Sequence, residues 1–137
     1  MQTTRRRFIR VIGTAMAAGS MIGASGCARY VMRGVVEEDK IRIPKADVIA
    51  KPFVVVEAAS LRYPIYVAAD STGQWKALGL RCTHRGCEVQ PGEKLLICPC
   101  HGSEYNRDGT VVQGPAENPL QQFKVTVDEN HLTIHVH

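Results

Sequence analysis

Apolar residues recur at every second position near the end of the chain: Phe123, Val125 and Val127, then Leu132, Ile134 and Val136, with Asp128-Glu129-Asn130 between them. A period of two sets each trio on one face of a strand, and the polar tripeptide is the turn of a hairpin. Earlier segments, Lys40 to Ile43, Phe53 to Glu57, Ile65 to Ala69 and Gln74 to Leu80, are short runs rich in Val, Ile, Tyr and Trp, bounded by Pro, Asp, Ser and Gly. They read as further strands. No stretch of residues 40–137 keeps a helical period over three turns, and the chain shows neither an internal repeat nor a low-complexity tract. The pattern predicts an all-β domain over residues 40–137. Residues 29–39 are mixed and charged, without a sustained apolar period, and read as a tether.

Length and composition agree with one globular domain: 137 residues, 45% hydrophobic and 22% charged. A formal net charge of +4 points towards nucleic acid until its distribution is considered. Residues 1–30 hold five Arg and no acid, and the remainder carries 12 basic against 13 acidic side chains. The folded part is therefore nearly neutral, with no evident basic and aromatic stripe, which argues against nucleic acid as a partner. The charge at the N-terminus reads instead as an address. Thr4-Arg5-Arg6-Arg7-Phe8-Ile9-Arg10 is a twin-arginine pattern followed by an uncharged stretch from Val11 to Ala28, and together they resemble a bacterial Tat export signal. Read as a membrane anchor, that stretch lies near the lower limit of roughly 17 to 25 residues that span a bilayer, and Gly and Ser interrupt it. Ala24-Ser25-Gly26-Cys27 resembles a lipobox, with Ala where the pattern prefers Leu; Cys27 would then be the lipidated first residue. Residues 1–28 are expected to be a Tat signal or membrane anchor, and each reading places the domain on the periplasmic side of the bacterial inner membrane.

Five cysteines are many for this length, and an odd number leaves at least one without a partner in the chain. Four of them fall in two boxes, Cys82-Thr83-His84-Arg85-Gly86-Cys87 and Cys98-Pro99-Cys100-His101-Gly102-Ser103. Buried filler cysteines and surface histidines do not account for two Cys/His boxes flanked by Gly and Pro; clustering of this kind signals a metal. Zinc accepts the same residue types, but its usual knuckle is a Cys pair two to four residues apart, whereas each box here offers a Cys and a His plus one further Cys. A zinc-binding structural module remains the non-redox alternative.

The two boxes, C-x-H-x-x-C and C-x-C-H-G-S, resemble those of the Rieske 2Fe-2S proteins, in the high-potential branch found in cytochrome bc-type complexes. The likeness runs from about Ala77 to Leu120. It implies an antiparallel β-sandwich base domain with a small inserted cluster-binding subdomain, about residues 79–118. It further implies one 2Fe-2S cluster, with Cys82 and Cys98 as thiolate ligands of one iron and His84 and His101 as imidazole ligands of the other. Cys87 and Cys100 would form a disulfide between the loops, and Ser103 and Tyr105 would hydrogen-bond to sulfur. Gly109 to Ala116 is similar to the family's strand and proline loop over the cluster.

The ligand set itself explains a high potential. Two thiolates and two neutral imidazoles leave the oxidised site neutral and the reduced site singly negative, so an electron enters more readily than with four thiolates. Hydrogen bonds to sulfur act in the same direction. The resemblance implies electron transfer as the iron-sulfur subunit of a quinol-cytochrome c reductase-type complex, a part of an oxidoreductase assembly and no catalyst alone. Its partners would be cytochrome b and a c-type cytochrome, with quinol as reductant. The alternatives are the small subunit of a molybdenum oxidase, with a molybdenum subunit as partner, and a free lipoprotein carrier. The ferredoxin of a ring dioxygenase fits less well, since that branch lacks the second pair of cysteines. Two positions depart from the family: Glu117 stands where many members have Pro, and Arg85 where quinol-oxidising members have Leu. A guanidinium at the tip suits an acidic or heme-propionate partner better than an apolar quinone pocket.

Overall fold

The structure is a computed structural model and describes residues 30–137. The twin-arginine stretch and Cys27 lie outside the described residues. The elements in chain order are β1 (Val31–Arg33), β2 (Val36–Glu37), β3 (Lys40–Pro44), a single helical turn α1 (Lys45–Ile49), β4 (Val54–Glu57), β5 (Ile65–Ala69), β6 (Trp75–Gly79), β7 (Gln90–Pro91), β8 (Leu95–Ile97), β9 (Glu104–Asn106), β10 (Val111–Gln113), β11 (Gln122–Val127) and β12 (His131–His135). Among the described residues no helix is long and apolar enough to cross a membrane. The domain is all-β in the sense the periodicity predicts.

Two sheets make up the fold. The larger has eight strands in the order β1-β4-β5-β6-β11-β12-β3-β2, and the smaller has four in the order β10-β9-β8-β7. The smaller is wholly inserted between β6 and β11, which are antiparallel neighbours through Gln122↔Leu78 and Phe123↔Ala77. The insertion therefore leaves and rejoins the large sheet at adjacent positions, and the base carries it like a two-point mount.

Within the tether expected over residues 29–39, Val31–Arg33 and Val36–Glu37 are instead strands of the sheet. β1 pairs with β4 in a parallel ladder, Val31↔Val55 to Arg33↔Glu57, and β2 pairs with β3. These two strands form opposite edges of the eight-stranded sheet, yet only Gly34 and Val35 separate them in the chain. A connector that short requires the sheet to curl until its edges meet. Gly34 marks the seam: its N–H donates to the Glu57 carbonyl at 2.7 Å, and a Cβ there would stand 2.7 Å from Ile41 Cγ2 and 3.0 Å from Val56 Cγ1. Those methyls belong to β3 and β4, the two sides being joined. Curling of this kind also protects edges that would otherwise be open to pairing.

Curling gives the central strands two buried faces. Val54, Val56, Ile65, Val67 and Ala77 point into the curl with Ile41, Ile43, Leu132 and Ile134. The alternate residues, Val55, Tyr66, Leu78 and Leu80, pack outward against Val89, Leu96, Cys98 and Tyr105 of the insertion. Burial on both faces is why β4 and β5 read as continuous apolar runs while the final hairpin alternates. In that hairpin Leu132 and Ile134 are buried. Val127, expected on the same inward face, is 47% exposed, because it ends β11 beside the turn at Asp128, where the core has run out.

Gly34→Ala should destabilise the domain by about 1–3 kcal/mol, the usual cost of forcing a methyl into a packed seam. Val35→Ala, at a position 71% exposed, should stay within about 0.5 kcal/mol. Denaturant unfolding of both variants checks this, and equal midpoints would mean that the seam is not closed.

Candidate metal centre

The two Cys/His boxes fold as near copies of one loop. In the first, the Cys82 N–H donates to the Cys87 carbonyl at 2.8 Å and the Gly86 N–H to the Cys82 carbonyl at 2.8 Å. In the second, the Cys98 N–H donates to the Ser103 carbonyl at 2.8 Å and the Gly102 N–H to the Cys98 carbonyl at 3.0 Å. Each loop thus spans six residues and closes on a glycine at its fifth position, with φ of 79° at Gly86 and 75° at Gly102. Those angles explain the glycine in both boxes, since an L side chain there is strained. The first loop follows β6; the second joins β8 to β9.

These twin loops face each other. Cys87 and Cys100 form a disulfide with Cα atoms 6.5 Å apart, which fixes the mouth of the site. Among the described residues Cys82 and Cys98 are the free cysteines, and both are buried. The imidazoles of His84 and His101 meet edge to face with ring centroids 4.9 Å apart. His84 Nδ1 is buried and has no hydrogen-bond partner, an orphaned lone pair of the kind a metal satisfies. The Sγ atoms of Cys87, Cys98 and Cys100 also lie within 4.8 Å of one another, but two of these sulfurs are spent in the disulfide and offer no thiolate. The free donor set is therefore two thiols and two imidazoles, which fits a 2Fe-2S core ligated by both.

Around the sulfurs the hydrogen bonds have a definite direction. Tyr105, wholly buried on β9, accepts the Thr83 N–H at 3.1 Å, lies 3.0 Å from Thr83 Oγ1 and reaches Cys82 Sγ at 3.4 Å. The single hydroxyl proton of Thr83 goes to the Asn118 carbonyl at 2.6 Å. The phenol proton is thus left to donate towards sulfur or towards Thr83 Oγ1. Ser103 is equally buried; its Oγ accepts the Ala116 N–H at 3.0 Å, so its own proton is also available. Burial pushes the Cys82 thiol up, but hydrogen bonds from Tyr105, the His84 N–H, Cys98 and Ser103 bring it below its ordinary value. Cys98 is held above its ordinary value by burial and by Cys82 beside it. Tyr105 is likewise raised, by burial and by its bond to Cys82, and so keeps the proton it donates. Thr83 and Asn118 did not stand out in the sequence, because a hydroxyl and a carbonyl become informative only once the loops are placed. Arg85 and Glu117, the two departures, are both exposed.

A curled β base carrying an inserted pair of Cys/His loops under one disulfide defines an iron-sulfur carrier domain. Residues 36–124 match the family model of the Rieske [2Fe-2S] domain, and the chain belongs to that family. It is similar to the cytochrome b6-f complex iron-sulfur subunit of Prochlorococcus marinus subsp. pastoris, 41% identical over 52% of this chain and 42% of that one. It also resembles iron-sulfur subunit 2 of the same complex from Trichormus variabilis, 33% identical over 74% of this chain and 61% of the relative. The chain thus spans about half the length of the curated relatives it matches. Among solved structures, the plasma membrane Rieske protein PetC3 of Synechocystis PCC 6803 superposes with a TM-score of 0.58 at 31% identity, covering 66% of this chain and 93% of that one.

Opening the disulfide by Cys87→Ser should cost about 3 kcal/mol by loop closure over a separation of 13 residues. Reduction of the unaltered protein should give the same loss. Unfolding curves that coincide for both forms would show that hydrogen bonds alone hold the loops.

Proposed function

We propose that the domain carries single electrons, with Cys82 and Cys98 holding one iron of a 2Fe-2S cluster and His84 and His101 the other. The observation that supports this most is the buried, unpartnered Nδ1 of His84 on the loop that also carries the buried, free Cys82. When bound, such a cluster supplies reversible one-electron chemistry at high potential. The chain's own residues do the rest. Leu80, Val89, Leu96 and Leu120 back the cysteines with apolar surface and keep water from the sulfurs. Hydrogen bonds from Tyr105 and Ser103 to sulfur favour the more negative, reduced state. His101, exposed at the rim, and half-buried His84 face the exit route for the electron.

In this reading the protein serves a cytochrome bc-type or b6-f-type assembly as its iron-sulfur subunit and passes electrons from a quinol-oxidising partner, cytochrome b, to a c-type cytochrome. A molybdenum oxidase subunit or a free lipoprotein carrier is the second reading, and Arg85 in place of an apolar tip residue favours it. The twin arginines Arg5 and Arg6 and the lipobox Cys27 support export by the Tat route and attachment on the periplasmic side; replacing both arginines with Lys should leave the protein in the cytoplasm, and unchanged export would sink that part.

The purified protein should contain about two iron and two acid-labile sulfide per chain, and Cys82→Ser or Cys98→Ser should abolish both. Tyr105→Phe removes one donor and should lower the potential by about 65 to 130 mV with the cluster intact, the equivalent of one hydrogen bond to a charged group. A normal cluster in either cysteine variant would overturn the ligand assignment. Zinc in place of iron in the isolated protein would restore the structural-module alternative.

A further inference from the structure

Resting on this electron-transfer reading, we infer that the face around His84 is a docking surface for a redox protein that presents carboxylates around its own redox centre. A cleft of about 340 Å³ opens beside His84 and is walled by Arg81, Thr83, Arg85, Asn118 and Gln121. No carboxylate lines it. Its side chains offer two guanidiniums and two carboxamides, a set suited to carboxylate oxygens.

The arginines are positioned, which separates this face from an ordinary solvated one. The guanidinium carbons of Arg62 and Arg81 lie 5.5 and 5.9 Å from the centroid of the same ring, Tyr63. Cation–π contact offsets part of their mutual repulsion. Gly86 supplies the other wall: a Cβ there would meet Arg81 Nε at 3.3 Å and the Tyr63 hydroxyl at 3.6 Å. Arg81, an exposed side chain, thus lies between a ring and a bare backbone, which reduces the side-chain entropy it loses on docking. Arg85, exposed on the loop between His84 and Gly86, extends the positive charge to the rim.

Charge elsewhere is used differently. Arg42 pairs with Asp128 at 3.4 Å, and Arg107 is taken up by the Tyr66 hydroxyl at 2.9 Å and the Pro52 carbonyl. Asp128, on the final hairpin, also draws in His131 at 3.6 Å. Glu88 stands opposite Arg81 across an isolated antiparallel bridge, so Arg62 and Arg85 rather than Arg81 set the net charge of this face. Since residues 31–137 carry 12 basic against 13 acidic side chains, the positive face is a local feature of a nearly neutral domain. Such a charge distribution orients a partner instead of attracting any polyanion, and it does so beside the imidazoles through which the electron leaves.

The test uses the reduced, cluster-loaded protein and two soluble c-type cytochromes as probes, one acidic and one basic, mixed by stopped flow over a range of ionic strength. The acidic probe should react faster at low salt and lose that advantage as salt rises. Arg62→Gln/Arg85→Gln should slow it about fivefold at low salt and flatten the salt dependence, whereas Lys40→Gln/Lys124→Gln, beside His135, changes net charge equally and should slow it far less. A zinc-substituted acidic cytochrome, inert to electron transfer, should bind with a dissociation constant raised by a similar factor in the arginine variant. Equal losses in both double variants, or a preference for the basic probe, would overturn the inference. So would arginine-dependent binding to phosphatidylglycerol vesicles with no effect on the cytochromes. A protein without a 2Fe-2S spectrum fails the underlying reading and takes this inference with it; a loaded protein whose rates ignore the arginines refutes the inference alone.

Discussion

One buried phenol oxygen ties three loops together. Tyr105 belongs to the strand that follows the second Cys/His loop, yet its hydroxyl receives the Thr83 N–H from the first and faces Cys82 Sγ. Thr83 in turn donates to the carbonyl of Asn118 on the third loop. The same third loop returns a hydrogen bond from the Ala116 N–H to Ser103. Metal ligands from different loops must converge to within a fraction of an ångström, and loops alone do not hold such tolerance. Here the tolerance comes from a wholly buried side chain whose hydroxyl is held by the Thr83 N–H. Removing the phenol oxygen therefore acts twice, on the charge of the sulfur and on the spacing of the loops, and the potential separates these effects because spacing alone does not set its sign.

The base provides the rigidity that this knot presupposes. Leu78 and Leu80 face the site core while Ala77, the residue before Leu78, faces the interior of the curled sheet. A strand buried on both faces cannot slip by one register step without turning large apolar residues into small spaces and small ones into large. The first Cys/His loop starts at the end of that strand, so Cys82 inherits its register. Gly34 secures the far side by letting β3 and β4 close upon each other.

Much of this was legible in the sequence, for physical reasons that differ by region. The final hairpin declared itself because one face is buried and the other wet. The double burial of β4 and β5 still read as strand, since β-branched residues dominate both. The two Cys/His boxes carried their chemistry openly, although the partner of each cysteine came from family resemblance and not from spacing. β1 and β2 escaped because two or three residues are too few for a period of two to show, and because their pairing is with strands distant in the chain. The strands of the small sheet, equally short, were invisible for the same reason. Thr83 was hidden differently: its importance lies in one committed proton, which only the position of the Asn118 carbonyl reveals.

The donors of the site are arranged with a polarity that bears on its function. Cys82 and Cys98 are 2% and 1% exposed, while His101 is exposed and His84 half-buried. In the proposed ligand set the negative charge of the thiolates would lie inside, among hydroxyl donors, and the imidazoles towards the outside. An added electron would make the site more negative, and the hydroxyls of Tyr105 and Ser103 from within and the Arg85 guanidinium from the rim would stabilise it. An apolar tip would leave the outer contribution to whatever protein docks there. With arginine at that position the chain carries part of the compensation itself, so its reduced state depends less on being bound to a partner. That property suits a carrier that must stay reduced between its donor and its acceptor.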